Sequence, residues 1–141
     1  MTMPYWLFKS EPEAWSWQQQ KARGAKGEPW SGVRNYQAAN NMKAMKKGDR
    51  GFFYHSVKEK RIVGIVEVIG EYRPDPTDKS GRFGLVDVKA VCDVRKPVTL
   101  EDVKANPKLA GMALLRQSRL SVQPVGAAEW KEICRMGAVK A

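Results

Sequence analysis

The chain has 141 residues, 43% of them hydrophobic and 28% charged. That length and balance predict a single domain over residues 1–141 with a core of its own, and they fit poorly with a disordered chain, a collagen, a disulfide scaffold or a coiled coil. Lys and Arg number 25 against 15 Asp and Glu, a formal net charge of +10, and such a surplus favours a polyanionic partner, DNA or RNA.

No apolar run approaches the ~18 residues of a membrane span. The stretch from Met1 to Glu11 carries no basic leader and no small-residue cleavage site. The expectation is a cytoplasmic protein with no membrane partner, and a monomer, because nothing in the sequence calls for an oligomer. Cys92 and Cys134 are far apart and lie in apolar patterns, so both are expected as buried free thiols. With them there is one histidine, which is too few ligands for a structural zinc. No metal and no cofactor is expected.

In chain order, Tyr5 to Lys9 reads as a short aromatic strand, stopped at Glu11-Pro12. Glu13 to Arg23 is helix-compatible, and Gly24 to Pro29 reads as a loop. Trp30-Ser-Gly32 is irregular. Asn35 to Lys47 has Tyr36, Ala39, Met42 and Met45 on roughly one face, with Gly48 as its stop, and predicts a helix. Gly51 to Ser56 predicts a strand, followed by a charged turn, Lys58 to Lys60. Arg61 to Glu71 is nearly continuous in Ile and Val, the pattern of a strand covered on both faces.

Arg73 to Gly81 is a polar loop with two prolines. From Leu85 to Val94 the residues alternate, which puts Val86, Val88, Ala90, Cys92 and Val94 on one face, and Pro97 is expected to end that strand. Thr99 is an N-cap candidate for a short helix to Ala105. Leu109 to Leu115 allows another short turn. Leu120 to Val125 is a strand that Pro124 places at an edge. Ala127 to Met136 predicts a helix with Trp130, Ile133 and Cys134 on one stripe. This order fits an α+β class, a small and mostly antiparallel sheet or open barrel with helices packed on it.

Thirteen aromatic residues are present, eleven of them between Tyr5 and Tyr72. Trp6, Phe8, Phe52 and Trp130 read as core. Trp30 sits between Pro29 and Ser31-Gly32 and has two readings: a ring offered to a planar ligand, or a ring tucked over the edge of the core. On the first, Trp30→Ala removes binding with unchanged melting; on the second it removes stability. Polar side chains that read base edges gather near the aromatics: Ser10, Asn35, Gln37, His55, Ser56, Ser121 and Gln123. His55 and Ser56 are neighbours on a strand, so they point to opposite faces and do not form a catalytic pair with each other. A hydrogen-bonded structural role is the simpler reading of the single histidine.

Taken together, Tyr5-Trp-Leu-Phe-Lys-Ser-Glu-Pro12, the run from Trp30 to Asp49, Gly51 to Ser56, Gly64 to Val68, Tyr72 to Thr77 and Arg116 to Val125 resemble, in order, the motifs of the EVE domain family. The resemblance covers residues 5 to 135. It implies a PUA-like open β-barrel of about five to six strands with peripheral helices, similar in fold to the YTH readers of methylated RNA. It also implies a reader of modified bases, chiefly modified cytosine in DNA, holding a flipped or single-stranded base in an aromatic pocket. Carried over by position, that pocket comprises Ser10, Trp30, Asn35, Tyr36, His55, Ser56, Arg119, Ser121 and Gln123. Lys9, Arg34 and Lys43 would contact phosphates. On this reading there is no catalytic residue. The alternatives are a hydrolase on a small modified nucleoside or amide, with His55, Lys9, Glu11 and Ser10 or Ser121 as candidates, and a protein-interaction module using an exposed aromatic patch.

Overall fold

The structure is a computed structural model and describes residues 4–139. In β1 (Tyr5–Ser10), strict alternation sends Trp6 and Phe8 to one face and Leu7 to the other. β1 lies parallel to β3 (Arg50–His55) and antiparallel to β6 (Val122–Val125). β3 pairs with β4 (Arg61–Pro74), β4 with β5 (Gly84–Thr99), and β5 with the two-residue β2 (Glu28–Pro29), all antiparallel. The sheet order is β2-β5-β4-β3-β1-β6. It is open, not a closed barrel, and mostly antiparallel, as the α+β reading expects. Glu28–Pro29, expected as loop, is its short edge at one end; β6 with Pro124 is the edge at the other.

Both faces are covered, which is why β4 reads as an unbroken apolar run. α1 (Trp17–Ala22) and α2 (Tyr36–Lys43) cover the face that carries Trp6, Phe8, Phe53 and Val66. α3 (Leu100–Ala105), α4 (Ala113–Arg116) and α5 (Ala127–Met136) cover the face that carries Leu7, Phe52, Ile65 and Val98. On that second face, the Trp130 ring stacks between Tyr5 and Phe52, with centroids 4.3 and 4.1 Å away.

Four local features differ from expectation. α1 begins at Trp17 and not at Glu13, because Ser16 caps it: its hydroxyl accepts from Gln19 N–H while the Gln19 side chain accepts from Ser16 N–H. α2 ends at Lys43, four residues short of the expected Lys47. In β5, Val86, Val88 and Ala90 face α1 and α2, whereas Cys92 and Val94 face α5. Ile65 pairs with Cys92 and Val66 with Ala90, which leaves Val91 as an unpaired extra residue. One inserted residue reverses every side chain beyond it. Pro97 does not end the strand, because it falls in a second stretch of β5 with no ladder partner on β4.

Gly64 on β4 sets the seat of α1. The Trp17 ring lies flat on it, and a Cβ there would overlap the indole. Gly64→Ala is therefore expected to destabilise by about 1–3 kcal/mol through overpacking, measured as a lower urea midpoint. An unchanged midpoint would show that Trp17 moves freely.

Candidate nucleic-acid interface

A cleft of about 430 Å³ opens where β1 ends, between the turn that carries Trp15 and the segment from Pro29 to Arg34. The Ser16 cap holds Trp15 outside the helix and over this cleft. Its indole N–H donates to Gln20 Oε1 at 2.9 Å, and the buried Gln20 donates in turn to the Val88 carbonyl. Ser10 Oγ donates to the Trp15 carbonyl at 2.5 Å. Trp30 forms another wall. It is only 8% exposed, set edge-on to Phe8 and Phe53 at 5.2 and 5.6 Å. Its backbone N–H bonds to the Val86 carbonyl at 2.8 Å.

The wall beyond Trp30 is held by Asp75, from the loop between β4 and β5. Asp75 is 3% exposed. Its Oδ2 accepts from Gly32 N–H at 2.8 Å and from Arg34 at 3.2 Å, and its Oδ1 accepts from Thr77 N–H and Oγ1 at 2.7 and 2.6 Å. Burial by itself would raise this carboxyl. The bonds from Thr77, Gly32 and Arg34 outweigh burial and hold it at about 2, against an ordinary 3.8. Gly32 takes φ 84°, a conformation open to glycine.

Of the residues named from sequence, Lys9, Ser10, Trp30, Arg34 and Ser121 line this cleft. Ser56 and Arg119 line a second cleft of about 600 Å³, which shares Lys9, Glu11 and Ser121 with the first. Five others line neither cleft. Asn35 caps α2, its Oδ1 accepting from Ala38 N–H at 2.9 Å. Tyr36 is 61% exposed and leans on Phe83. Lys43 extends over the Tyr72 ring. Gln123 is fully buried and donates to the carbonyls of Gln117 and Leu120.

His55 is buried: its Nε2 accepts from Trp17 N–H at 3.0 Å, and its Nδ1 lies 2.9 Å from Glu59 Oε1. The N–H donor fixes Nε2 as unprotonated, so Nδ1 carries the proton toward Glu59. Both ring nitrogens are engaged, and none is left for proton transfer. Its role here is to pin the start of α1 to the end of β3.

Trp15, which lines the cleft, and Asp75, which anchors its wall through Gly32 and Arg34, were not singled out from the sequence. Both had local signals. Ser16-x-x-Gln19 is a capping box that ends the turn after Trp15, and Asp75-Pro-Thr77 is an Asx-turn pattern.

An open six-stranded sheet, helices on both faces and an aromatic cleft at the end of its parallel strand pair define a PUA-like domain. The EVE domain profile matches residues 4–136, and the chain belongs to that family. It is 36% identical to thymocyte nuclear protein 1 of Gallus gallus, over 89% of this chain and 65% of that protein. The chain thus spans about two thirds of the length of that curated relative.

Among solved structures, an Agrobacterium tumefaciens protein matches with TM-score 0.93 and 57% identity, covering 96% of this chain and 94% of that one. Human THYN1, solved in complex with DNA containing 5-methylcytosine, matches with TM-score 0.88 and 30% identity over 98% and 99% of the two chains. A YTH domain from Zygosaccharomyces rouxii, at TM-score 0.56 and 19% identity, shares the fold alone.

Proposed function

We propose that this protein reads modified bases in nucleic acid and performs no chemistry on them. The base, a modified cytosine in DNA as the leading case, is flipped or single-stranded and enters the cleft walled by Trp15 and Trp30. The observation that carries this reading is that two tryptophans and three serines line one cleft of about 430 Å³, of the size and composition of small-ligand sites. Stacking on an aromatic ring contributes about 1–3 kcal/mol per base. The relative solved with methylated DNA and the net charge of +10 support the same partner class.

Ser10 adds a preference. Its proton is committed to the Trp15 carbonyl, so it offers a ligand its lone pairs. A serine in that state accepts from an exocyclic amine, as on cytosine or adenine, and does not serve a carbonyl at the same position. Discrimination of a single added methyl by an apolar wall is modest, about 10–200-fold.

The test is tryptophan fluorescence with oligonucleotides carrying cytosine, 5-methylcytosine, adenine, N6-methyladenine or thymine. Trp15→Leu is expected to keep the fold, since Trp15 is half-buried, and to weaken the preferred ligand about tenfold or more. Affinity is expected to fall with added salt as phosphate contacts are screened. The bound base should be recovered unchanged after long incubation. Equal affinity of Trp15→Leu and wild type for every oligonucleotide would overturn the reading, and turnover would favour the hydrolase.

A further inference from the structure

The two clefts differ in charge. The cleft with Trp15 and Trp30 is lined by two cations, Lys9 and Arg34, and two carboxylates, Glu11 and Glu28. Arg34 is already paired with Asp75, and Glu28 with Arg23. This is a neutral, aromatic place, suited to an uncharged ring. The second cleft carries Lys9, Lys60 and Arg119 against Glu11 alone. On the hairpin beside it, Lys58 pairs with Glu13 and Arg61 with Glu59. Lys60 and Arg119 make no ion pair among the described residues.

Alternation along β1 sets this division. Ser10 turns toward Trp15, while Lys9 turns to the opposite face, over the Tyr54 ring at 5.9 Å, where it donates to the Ser118 carbonyl at 2.6 Å. The second cleft also has a neutral donor. Tyr54 is 3% exposed as a residue and lines the cleft, to which it can offer its phenol O–H. Burial pushes that phenol up to about 12, so it stays protonated at neutral pH. Cations in excess of carboxylates and a phenol O–H in one cleft are the complement of a phosphate. Glu11 stands at the shared rim and disfavours an anion there, which leaves the Lys60 and Arg119 side as its place.

We infer that the second cleft is a phosphate subsite, taking the phosphodiester next to the base held between Trp15 and Trp30, so that the protein recognises a nucleotide unit and not a free nucleoside. This rests on the base-reading function proposed above.

The experiment compares, by calorimetry, the 2′-deoxynucleoside of the best-bound base, its 5′- and 3′-monophosphates, and inorganic phosphate. Wild type is set against Lys60→Asn/Arg119→Ser. Both positions are exposed, and asparagine suits the positive φ of Lys60, so the variant keeps its fold. One monophosphate is expected to bind wild type about tenfold more tightly than the nucleoside. That advantage should vanish in the double variant, whose nucleoside affinity stays the same. Equal binding of nucleoside and both monophosphates, or an advantage that survives in the variant, overturns the subsite while the base reading stands. Inorganic phosphate binding as tightly as the nucleotide would make it a free-phosphate site and overturn the link to the base. If no nucleoside or nucleotide binds, the base reading falls and this inference falls with it.

Discussion

Trp30→Ala is expected to lower stability by about 3–5 kcal/mol and to abolish base binding at the same time. The ring is 8% exposed and belongs to the core that includes Phe8, Phe53 and Val66. It meets Phe8 and Phe53 edge-on, the geometry aromatic pairs favour. Removing it leaves a cavity that the sheet cannot close, since Phe8 and Phe53 are fixed by β1 and β3. Against a total of about 5–15 kcal/mol for a domain, that loss is large, and a fall of about 10 °C or more in Tm should follow. Urea and thermal unfolding check it; an unchanged Tm would place the indole outside the core.

The two readings of Trp30 are thus not exclusive. One ring closes the core and walls the cleft, so loss of binding in Trp30→Ala does not by itself reveal stacking. Trp30→Phe, which keeps the edge contacts, and Trp15→Leu, at the half-buried wall, separate the two effects.

Asp75→Asn is expected to cost about 2–4 kcal/mol at neutral pH and to loosen the wall formed by Gly32 and Arg34. Asp75 accepts four hydrogen bonds on two oxygens. Asparagine has one carbonyl oxygen, and its amide N–H₂ faces donors wherever it is turned. The pH dependence has a definite sign. The folded carboxyl sits at about 2 and the ordinary value is 3.8. Its contribution, about 2 kcal/mol, is fully present above pH 3.8 and is lost as pH falls through about 2. Denaturant unfolding of wild type and variant from pH 7 down to pH 2 should therefore show a gap that narrows only at the acid end. A gap that is constant with pH would mean Asp75 is held by shape and not by its charge. Weaker ligand binding by the variant at pH 7, where it is still folded, would show that the Gly32–Arg34 wall needs this anchor.

Much of this molecule is local, and local features are legible in a sequence. The helix Ala127–Met136 is bounded as its apolar stripe and Gly137 predict. Thr99 caps α3 through a capping box with Asp102. Pro124 lies on an edge strand because it has no N–H to donate. The charge surplus needs only a count, and the ordered motifs that mark an EVE domain are strings of neighbouring residues.

The site was less legible because it is assembled across the chain. Ser10 and Ser121 meet because β1 pairs with β6, and Lys9 N–H bonds to the Ser121 carbonyl at 2.8 Å. Asp75 reaches Gly32 across 43 positions. Periodicity reports which face a side chain takes, not which partner stands opposite. It fails outright at Val91, where one unpaired residue moves Cys92 and Val94 to the other core. The family resemblance, carried over by position, likewise placed His55, Gln123, Asn35 and Tyr36 in the pocket with Ser10 and Trp30, and Lys43 at a phosphate. Their residue types suit contact with a base or a phosphate, but His55 and the Gln123 amide N–H₂ are held in buried hydrogen bonds, and the other three point elsewhere. Neighbouring residues alone carry the class of protein, its charge and the elements that hold its aromatics. Which rings share a cleft, which cations beside it make no ion pair among the described residues and which carboxylate holds its wall follow from strand register and from contacts between residues remote in the chain.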